Sequence, residues 1–394
     1  MVKKILRKIT SYVGSLPTFN YYIMSLTILI SFIGVMVIFS ASSNLTIKYN
    51  TGPFHYVLRH AMFSVGGVIL MLVASIIDFR FYKRWYAWIY ILALFLLGAA
   101  LWAGPFRVFY NGYAKRGIRL IGFSFMPSDV YKIASIIFLA SFLTKRARYA
   151  GEFFRGFIIT LIVLSPSIMI FMQPDLSTFL VVVITLGIMY LVGGFQKKFW
   201  LPVIGLMILG VLVFYFFGKG YQMNRIRAYL DPEKYAQSIS WHIIHSLYAV
   251  SRGGLFGVGY GKSVLKYGYL ADEVNSDMIF AVIAEEFGFV GSLAFILLVF
   301  ALFILIIREA MKAKDLYPKL VLVGIGTLYF FQSFINIGVA INAIPNTGIT
   351  LPFVSYGGTS VLIYFVMMGI VLNISRYNNM NKIEKKVSFN KKTR

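Results

Sequence analysis

"FVGSLAFILLVFALFILII", residues 289–307, is an apolar run without a single charge. At about 1.5 Å per helical residue it covers roughly the 30 Å of a bilayer's hydrocarbon. Directly before it stands "NSDMIFAVIAEEFG", residues 275–288, which carries Asp277, Glu285 and Glu286 in a chain with only 14 acidic residues. Carboxylates are costly in an apolar setting, so an acid beside a membrane span is a functional candidate by default. One helix would place Glu285 on nearly the same face as Asp277 and about 12 Å deeper.

Outward from this run, similar stretches recur along the chain. Candidate spans lie near 20–41, 57–77, 86–104, 129–145, 155–173, 176–194, 200–217, 279–307, 319–343 and 355–375. The composition agrees: 59% hydrophobic, 13% charged and mean hydropathy +0.77, where soluble domains run near half apolar and a quarter charged. The expected fold is an all-α polytopic membrane protein of ten transmembrane helices, with a large loop, 218–276, between helices 7 and 8. It divides into a basic N-terminus, 1–19, a membrane domain, 20–375, and a basic tail, 376–394.

Ten spans put both termini on one side. Placing them in the cytoplasm assigns 24 of the 38 Lys and Arg residues to inside segments, among them "DFRFYKRW", "TKRARYAGEFFR" and "FQKK". Short cytoplasmic loops carry such an excess. The net charge of +24 therefore reflects topology. Nucleic-acid binding is not expected, because the basic residues are not interleaved with stacking aromatics on a folded surface. The tail "NKIEKKVSFNKKTR" suits attraction to anionic lipid or docking of a cytoplasmic partner. With no cysteine, disulfides, thiolate metal sites and a Cys nucleophile are excluded.

The outside segments hold the unusual residues. "KRGIRL", 115–120, carries Arg116 and Arg119 against the charge trend, and Lys132 follows at the start of the fourth span. These cations read either as snorkelling side chains or as an anion site. Asp175 in "QPDLST" is placed to cap the sixth span. His242 and His245 are three apart in "SWHIIHSLYAV", but no third ligand accompanies them, so no metal site is expected. "RGGLFGVGYGK" has five glycines and no strand before it, a weak phosphate-loop signal that does require tight backbone turns. In "NAIPNTGITLPFVSYGGTS", 342–360, Pro345, Pro352, Gly357 and Gly358 interrupt an apolar stretch. Broken backbone at membrane depth needs protein or a watery cavity around it. A cavity is expected there, open to the outside, with Thr347, Thr350, Ser355 and Ser360 as candidate lining hydroxyls. Asp277 stands at the outer entrance of the eighth span, as a helix cap or as a chemical group. For Glu285 and Glu286, pairing with buried cations and chemistry both remain open.

Taken in order, "FSFMPSD", "QPDLST", "SLYAVSRGGLFGVGYGKS", "SDMIFAVIAEEFG" and "LPFVSYGGTS" resemble the SEDS family of shape, elongation, division and sporulation proteins, which includes FtsW, RodA and SpoVE. The likeness covers nearly the whole chain and fits the division and sporulation branch best. It implies ten membrane helices and polymerisation of lipid II into peptidoglycan glycan strands, as a glycosyltransferase of the bacterial cell membrane with both termini cytoplasmic. A role at the division septum, a RodA-type elongation role and a lipid II flippase or scaffold are the alternatives. The implied partners are a class B penicillin-binding protein transpeptidase and other divisome or elongasome membrane proteins. The residue matching the family's essential aspartate is Asp277. Arg116, Arg119, Lys132, Lys262 and Lys266, with Ser355, Gly357 and Gly358, are expected at the pyrophosphate, and Asp175, Glu285, Glu286 and Pro352 in supporting roles. No cofactor is assigned, and a divalent cation, Mg or Mn, on the pyrophosphate is left open. Gly117 replaces the family's usual Trp, Asn275 its His and Asp129 its Glu.

Overall fold

In the computed structural model the described residues are 19–43, 50–52, 54–102, 108–111, 114–120, 123–145, 169–170, 173, 175–194, 220–237, 240–264, 266 and 275–392. Helices dominate: α1 (Tyr21–Ala41), α2 (His55–Ile76), α3 (Phe79–Trp102), α4 (Pro127–Lys145), α5 (Leu176–Val192), α6 (Gly220–Leu230), α7 (Trp241–Gly253), α8 (Ile279–Lys312), α9 (Leu316–Ala340) and α10 (Gly358–Lys392). Eight of the ten predicted spans coincide with α1–α5 and α8–α10. The fifth and seventh predicted spans lie almost wholly outside the described residues. Among the described residues, six helices are long and apolar enough to cross a membrane by length and composition. Their exposed faces are apolar, as with Leu58, Met62, Val65 and Ile69 on α2, which is the pattern for contact with lipid.

Two further features sit in the loops. Between α3 and α4 runs a three-stranded antiparallel sheet of β1 (Val108–Asn111), β2 (Ala114–Leu120) and β3 (Phe123–Phe125) in the order β1-β2-β3. In register, Phe109 faces Gly117 and Arg119 faces Ser124. The long loop before α8 contains α6 and α7, so it is a folded cap. Ser246 of α7 donates to the Ala340 carbonyl at the end of α9, 2.6 Å away.

The helices interlock where side chains are small. A Cβ on Gly369 of α10 would lie 2.4 Å from the Met71 carbonyl of α2, a close approach of the kind small residues allow between membrane helices. At the opposite end of the bundle from α7, buried Glu309 accepts from Asn20 Nδ2 (3.0 Å) and pairs with Lys312 (2.7 Å), while its backbone carbonyl accepts from Asn378 (3.0 Å). These contacts join the start of α1, the end of α8 and the middle of α10.

The decisive feature is a break in α8. Gly288 has φ 66° and ψ −166°, far from helical. An unbroken helix would carry bonds from the Phe289 and Val290 amides to the Glu285 and Glu286 carbonyls. The glycine loop after α7 supplies the missing partners. Phe289 and Val290 donate to the Gly254 and Leu255 carbonyls at 2.9 and 3.1 Å, and Val258 and Gly259 donate to the Glu285 and Glu286 carbonyls at 3.0 and 3.1 Å. All four freed backbone groups are satisfied, as a low-dielectric surround demands.

The break also corrects the expected depth of Glu285. Residues 289–312 alone are long enough to cross ~30 Å of hydrocarbon, and exposure begins there, at Phe289 and Val290. Residues 277–288 are buried except for partly covered Phe287. This segment bridges the ends of two spans: Glu286 meets Ser40, next to the end of α1, and the Asp277 carbonyl accepts from Asn336, near the end of α9. A turn in the chain at Gly288 has replaced the expected descent into the membrane.

Gly257 tests this reading. It has φ 81° and its Cβ would fall 2.2 Å from the Glu286 carbonyl oxygen. Gly257→Ala should cost about 1–2 kcal/mol from the left-handed backbone alone, with the clash added, and should lower the thermal midpoint in detergent. An unchanged midpoint would show that the loop does not sit in the break.

Candidate functional site

A cleft of about 260 Å³ opens at the end of the bundle where α1, α3 and α9 finish and α2, α4, α5, α8 and α10 begin. Asp277, Asp129, Lys132, Asp175, Tyr356 and the Gly348–Thr350 stretch are among its lining residues. The predicted cavity therefore exists, between the start of α8, the start of α4 and the broken segment 341–357.

The broken segment is held rigidly although it is not helical. Ser355 Oγ accepts from the Leu351 amide (2.7 Å) and donates to the Ser276 carbonyl (2.6 Å), while the Tyr356 amide donates to the Asn275 carbonyl (2.7 Å). Asn336 of α9 donates to the carbonyls of both Asp277 (3.0 Å) and Ile349 (2.7 Å). Phe353 adopts φ 66°, rare for a residue with a Cβ. Its fully buried ring packs against Tyr329, Tyr364 and Phe365, and this packing holds the strained turn. Gly34 of α1 lets the turn approach, since a Cβ there would meet the Phe353 carbonyl at 2.6 Å.

The cleft floor is polar. Lys132 Nζ pairs with Asp129 Oδ1 at 2.9 Å and donates to Gln332 Oε1 at 3.1 Å, with both ionised groups buried. The Tyr364 hydroxyl donates to the same Gln332 oxygen, and Gln332 Nε2 donates to the Thr350 carbonyl at 3.0 Å. Asp129 Oδ2 has no hydrogen-bond partner among the described residues. Asp175 caps α5, accepting from the Thr178 amide (3.1 Å) and hydroxyl (2.9 Å).

Asp277 is 9% exposed and lines the cleft. The N-cap position of α8 belongs to Met278, without a side-chain cap bond, so the simple capping role does not apply to Asp277. Lys132, Gly357 and Gly358 stand in the same cleft. Thr350 and Ser360 line it as well, whereas Ser355 is turned to backbone partners and Pro352 is buried behind the turn. Arg116 and Arg119 fall on β2, but their side chains are outside the described residues.

Lys266 departs from expectation. It is 2% exposed and donates to Ser40 Oγ (2.9 Å) and the Gly261 carbonyl (2.9 Å), with Glu286 at 3.5 Å. A cation so buried and engaged cannot meet a pyrophosphate in the cleft. Lys262 is exposed on the glycine loop and does not line the cleft. Glu285 and Glu286 are the partners of cations: Glu285 pairs with Arg252 at 2.7 Å and accepts from the Val264 amide at 3.1 Å. His245 lies in edge contact with Trp241 and Tyr248; burial and, next, neighbouring His242 lower its pKa.

Sequence reasoning missed Arg59. It sits in the first turn or so of α2, where its charge acts on Tyr356, a lining residue. The signal was present: a lone Arg in "HYVLRHAMF", at the outer start of a span, against the charge trend. Among the described residues no group of three His, Asp or Glu side chains is arranged to hold a metal ion.

The bond from Asn336 predicts a measurable coupling. Asn336→Ala would strip a donor from two carbonyls, at about 1–3 kcal/mol for each group left buried and unpaired. The thermal midpoint should fall, and residues 277–280 should exchange their amide hydrogens faster. Unchanged exchange would show that α9 does not anchor Asp277.

Comparison with known proteins follows this geometry. The family model described as "Cell cycle protein" (FtsW, RodA, SpoVE) matches residues 20–380. Stage V sporulation protein E of Bacillus subtilis (strain 168) is 38% identical over 354 residues, covering 90% of this chain and 96% of that protein. The probable peptidoglycan glycosyltransferase FtsW of Geobacter sp. (strain M18) is 32% identical over 365 residues, covering 91% and 96%. Among solved structures, a chain described under "Structural coordination of polymerization and crosslinking by a peptidoglycan synthase complex" aligns with a TM-score of 0.74 at 23% identity, covering 91% of this chain and 98% of that one. The rod shape determining protein RodA of Thermus thermophilus aligns with a TM-score of 0.67 at 24% identity, covering 91% and 97%.

Proposed function

The chain belongs to the FtsW, RodA and SpoVE family of cell cycle proteins, and from that premise we propose that it is a peptidoglycan glycosyltransferase that polymerises lipid II, with Asp277 as the base. The observation that carries this reading is the position of Asp277: a carboxylate facing a polar cleft, at the end of a bundle whose flanks are apolar. A substrate with a polar sugar and pyrophosphate on a long prenyl tail suits such a site, because the head enters the cleft while the tail stays in the bilayer.

The chemistry is a substitution at an anomeric carbon. A sugar hydroxyl of one lipid II attacks the anomeric carbon of the growing chain and a new C–O bond forms. The bond from that carbon to the pyrophosphate oxygen breaks, and undecaprenyl pyrophosphate leaves with the electron pair. Asp277 takes the hydroxyl proton, which makes a weak nucleophile competent. Charge develops on the leaving group, and cations at the cleft stabilise it. Lys132, which lines the cleft, and Arg59, which acts on the lining Tyr356, are the described candidates, with Arg116 and Arg119 on β2 as further ones. Lys132 is already paired with Asp129. No step is assigned to a metal.

The protein is a multi-pass membrane protein. Its membrane is the bacterial cell membrane on this reading, with the cleft outside and both termini in the cytoplasm, and the excess of Lys and Arg in the short inside loops supports that orientation. A class B penicillin-binding protein is the partner that would cross-link the product. Similarity to stage V sporulation protein E and to FtsW proteins favours division or sporulation over elongation.

Asp277→Asn is nearly isosteric and removes the base, so strand synthesis from lipid II by the purified protein should fall about 10²–10⁴-fold with normal membrane insertion. Polymer yield within a few-fold of the parent would refute the assignment. For topology, a reporter fused after Lys198 should read cytoplasmic and one near Lys234 external. The reverse result at both sites would put the cleft on the wrong side for wall synthesis.

A further inference from the structure

The two glutamates at the far end of the Asp277 segment are not in the cleft, yet both are buried. Glu285 is fully buried and Glu286 is 2% exposed. Burying charge is costly unless it is paired and hydrogen-bonded, and here each carboxylate is. Glu285 accepts from Arg252, Ser263 and the Val264 amide; Glu286 accepts from Ser40, from the Ser263 amide (3.3 Å) and, at 3.5 Å, from Lys266. These partners come from α1, from α7 and from the glycine loop. The carboxylates therefore fasten three separate elements to the break at Gly288.

Resting on the lipid II polymerase reading above, we propose that Glu286 and Lys266 are positioning residues for Asp277: their buried pair, with Ser40, locks the loop into the broken helix and so fixes where the carboxylate stands in the cleft. The segment between lock and cleft is short and helical from Ile279, and its residues from Ile279 to Ala284 are no more than 5% exposed. Such a rod transmits displacement instead of absorbing it. Its break is unlike a continuous span, because the bonds that hold its direction are made to the loop and not within the helix. Release of the loop would free both the carbonyls of Glu285 and Glu286 and the amides of Phe289 and Val290. The Asp277 end would keep its bonds to Asn336, Ser355 and the Tyr356 amide but lose the anchor at the break. A shift near 1 Å at a reacting group costs on the order of 10²-fold in rate.

The pair also explains why a lysine is sealed away on an external loop. A Lys serving only the surface would remain solvated. Lys266 Nζ reaches Ser40 Oγ, the Gly261 carbonyl and Glu286, and Ser40 Oγ in turn donates to Glu286. The arrangement is a closed triangle whose corners are α1, α8 and the loop.

The test uses the full-length protein in lipid nanodiscs with lipid II. Glu286→Gln and Lys266→Met each strand one buried charge, so both should melt lower than the parent; the double variant Glu286→Gln/Lys266→Met removes both charges and keeps the fold testable. The double variant should melt above either single variant, yet its kcat should stay about 10–100-fold below the parent with KM for lipid II within about twofold. Lys266→Arg, which keeps the charge, should retain kcat within a few-fold. Hydrogen exchange of the amides at 258, 259, 289 and 290 should quicken in the double variant, a readout that needs no catalysis. Recovery of kcat together with stability in the double variant would overturn the proposal, as would parent-like exchange at those amides or a rise in KM alone. If the parent protein makes no polymer while exchange responds as expected, the polymerase reading fails and the lock stands.

Discussion

Everything at the cleft depends on how four backbone groups at Gly288 find partners. A helix in hydrocarbon can break only where something else completes its hydrogen bonds, because each orphaned group costs several kcal/mol. Here the glycine loop completes them, carbonyl for carbonyl and amide for amide. Only glycine fits at the crossing: a Cβ on Gly257 or Gly288 would enter the opposing backbone at 2.2 or 2.3 Å. Gly253 and Gly257 are thus required by the approach of two main chains, and Gly254, Gly259 and Gly261 by their positive φ.

With the break in place, the start of α8 is released from the duty of spanning the membrane and lies across the end of the bundle. It meets a second irregular segment, 341–357, fixed by Asn336 and Ser355. Two interrupted backbones and the buried Lys132–Asp129–Gln332 network give a polar hollow in an apolar frame. The reaction we assign needs that combination, since the substrate is itself a polar head on an apolar tail.

The spans were legible because hydropathy over some twenty residues depends on composition alone. Asp277 was legible as an acid where an external loop enters a span. The break was not, since "EEFGFV" reads equally well as a continuous helix with one packing glycine. Whether Gly288 takes φ 66° depends on a loop some thirty residues earlier, a contact that no local pattern encodes. For the same reason Lys266 was misread: charge on an outside loop suggests a ligand site, and burial is a property of the folded environment. The small sheet between α3 and α4 was missed because its strands are three to seven residues long and lie in a loop of mixed composition. Arg59 was legible as a lone cation at the outer start of a span, but its nearness to the cleft emerged only from its charge acting on Tyr356.

The account stands or falls on what occupies the cleft. Electron cryo-microscopy of the full-length protein in a nanodisc, saturated with lipid II, would locate the substrate directly. The account predicts a sugar hydroxyl or anomeric carbon within hydrogen-bond reach of the Asp277 carboxylate, about 2.6–3.2 Å or one water away, with the pyrophosphate toward Arg59 and Lys132. Lipid II bound at the opposite end of the bundle, or with Asp277 facing only its prenyl chain, would contradict it.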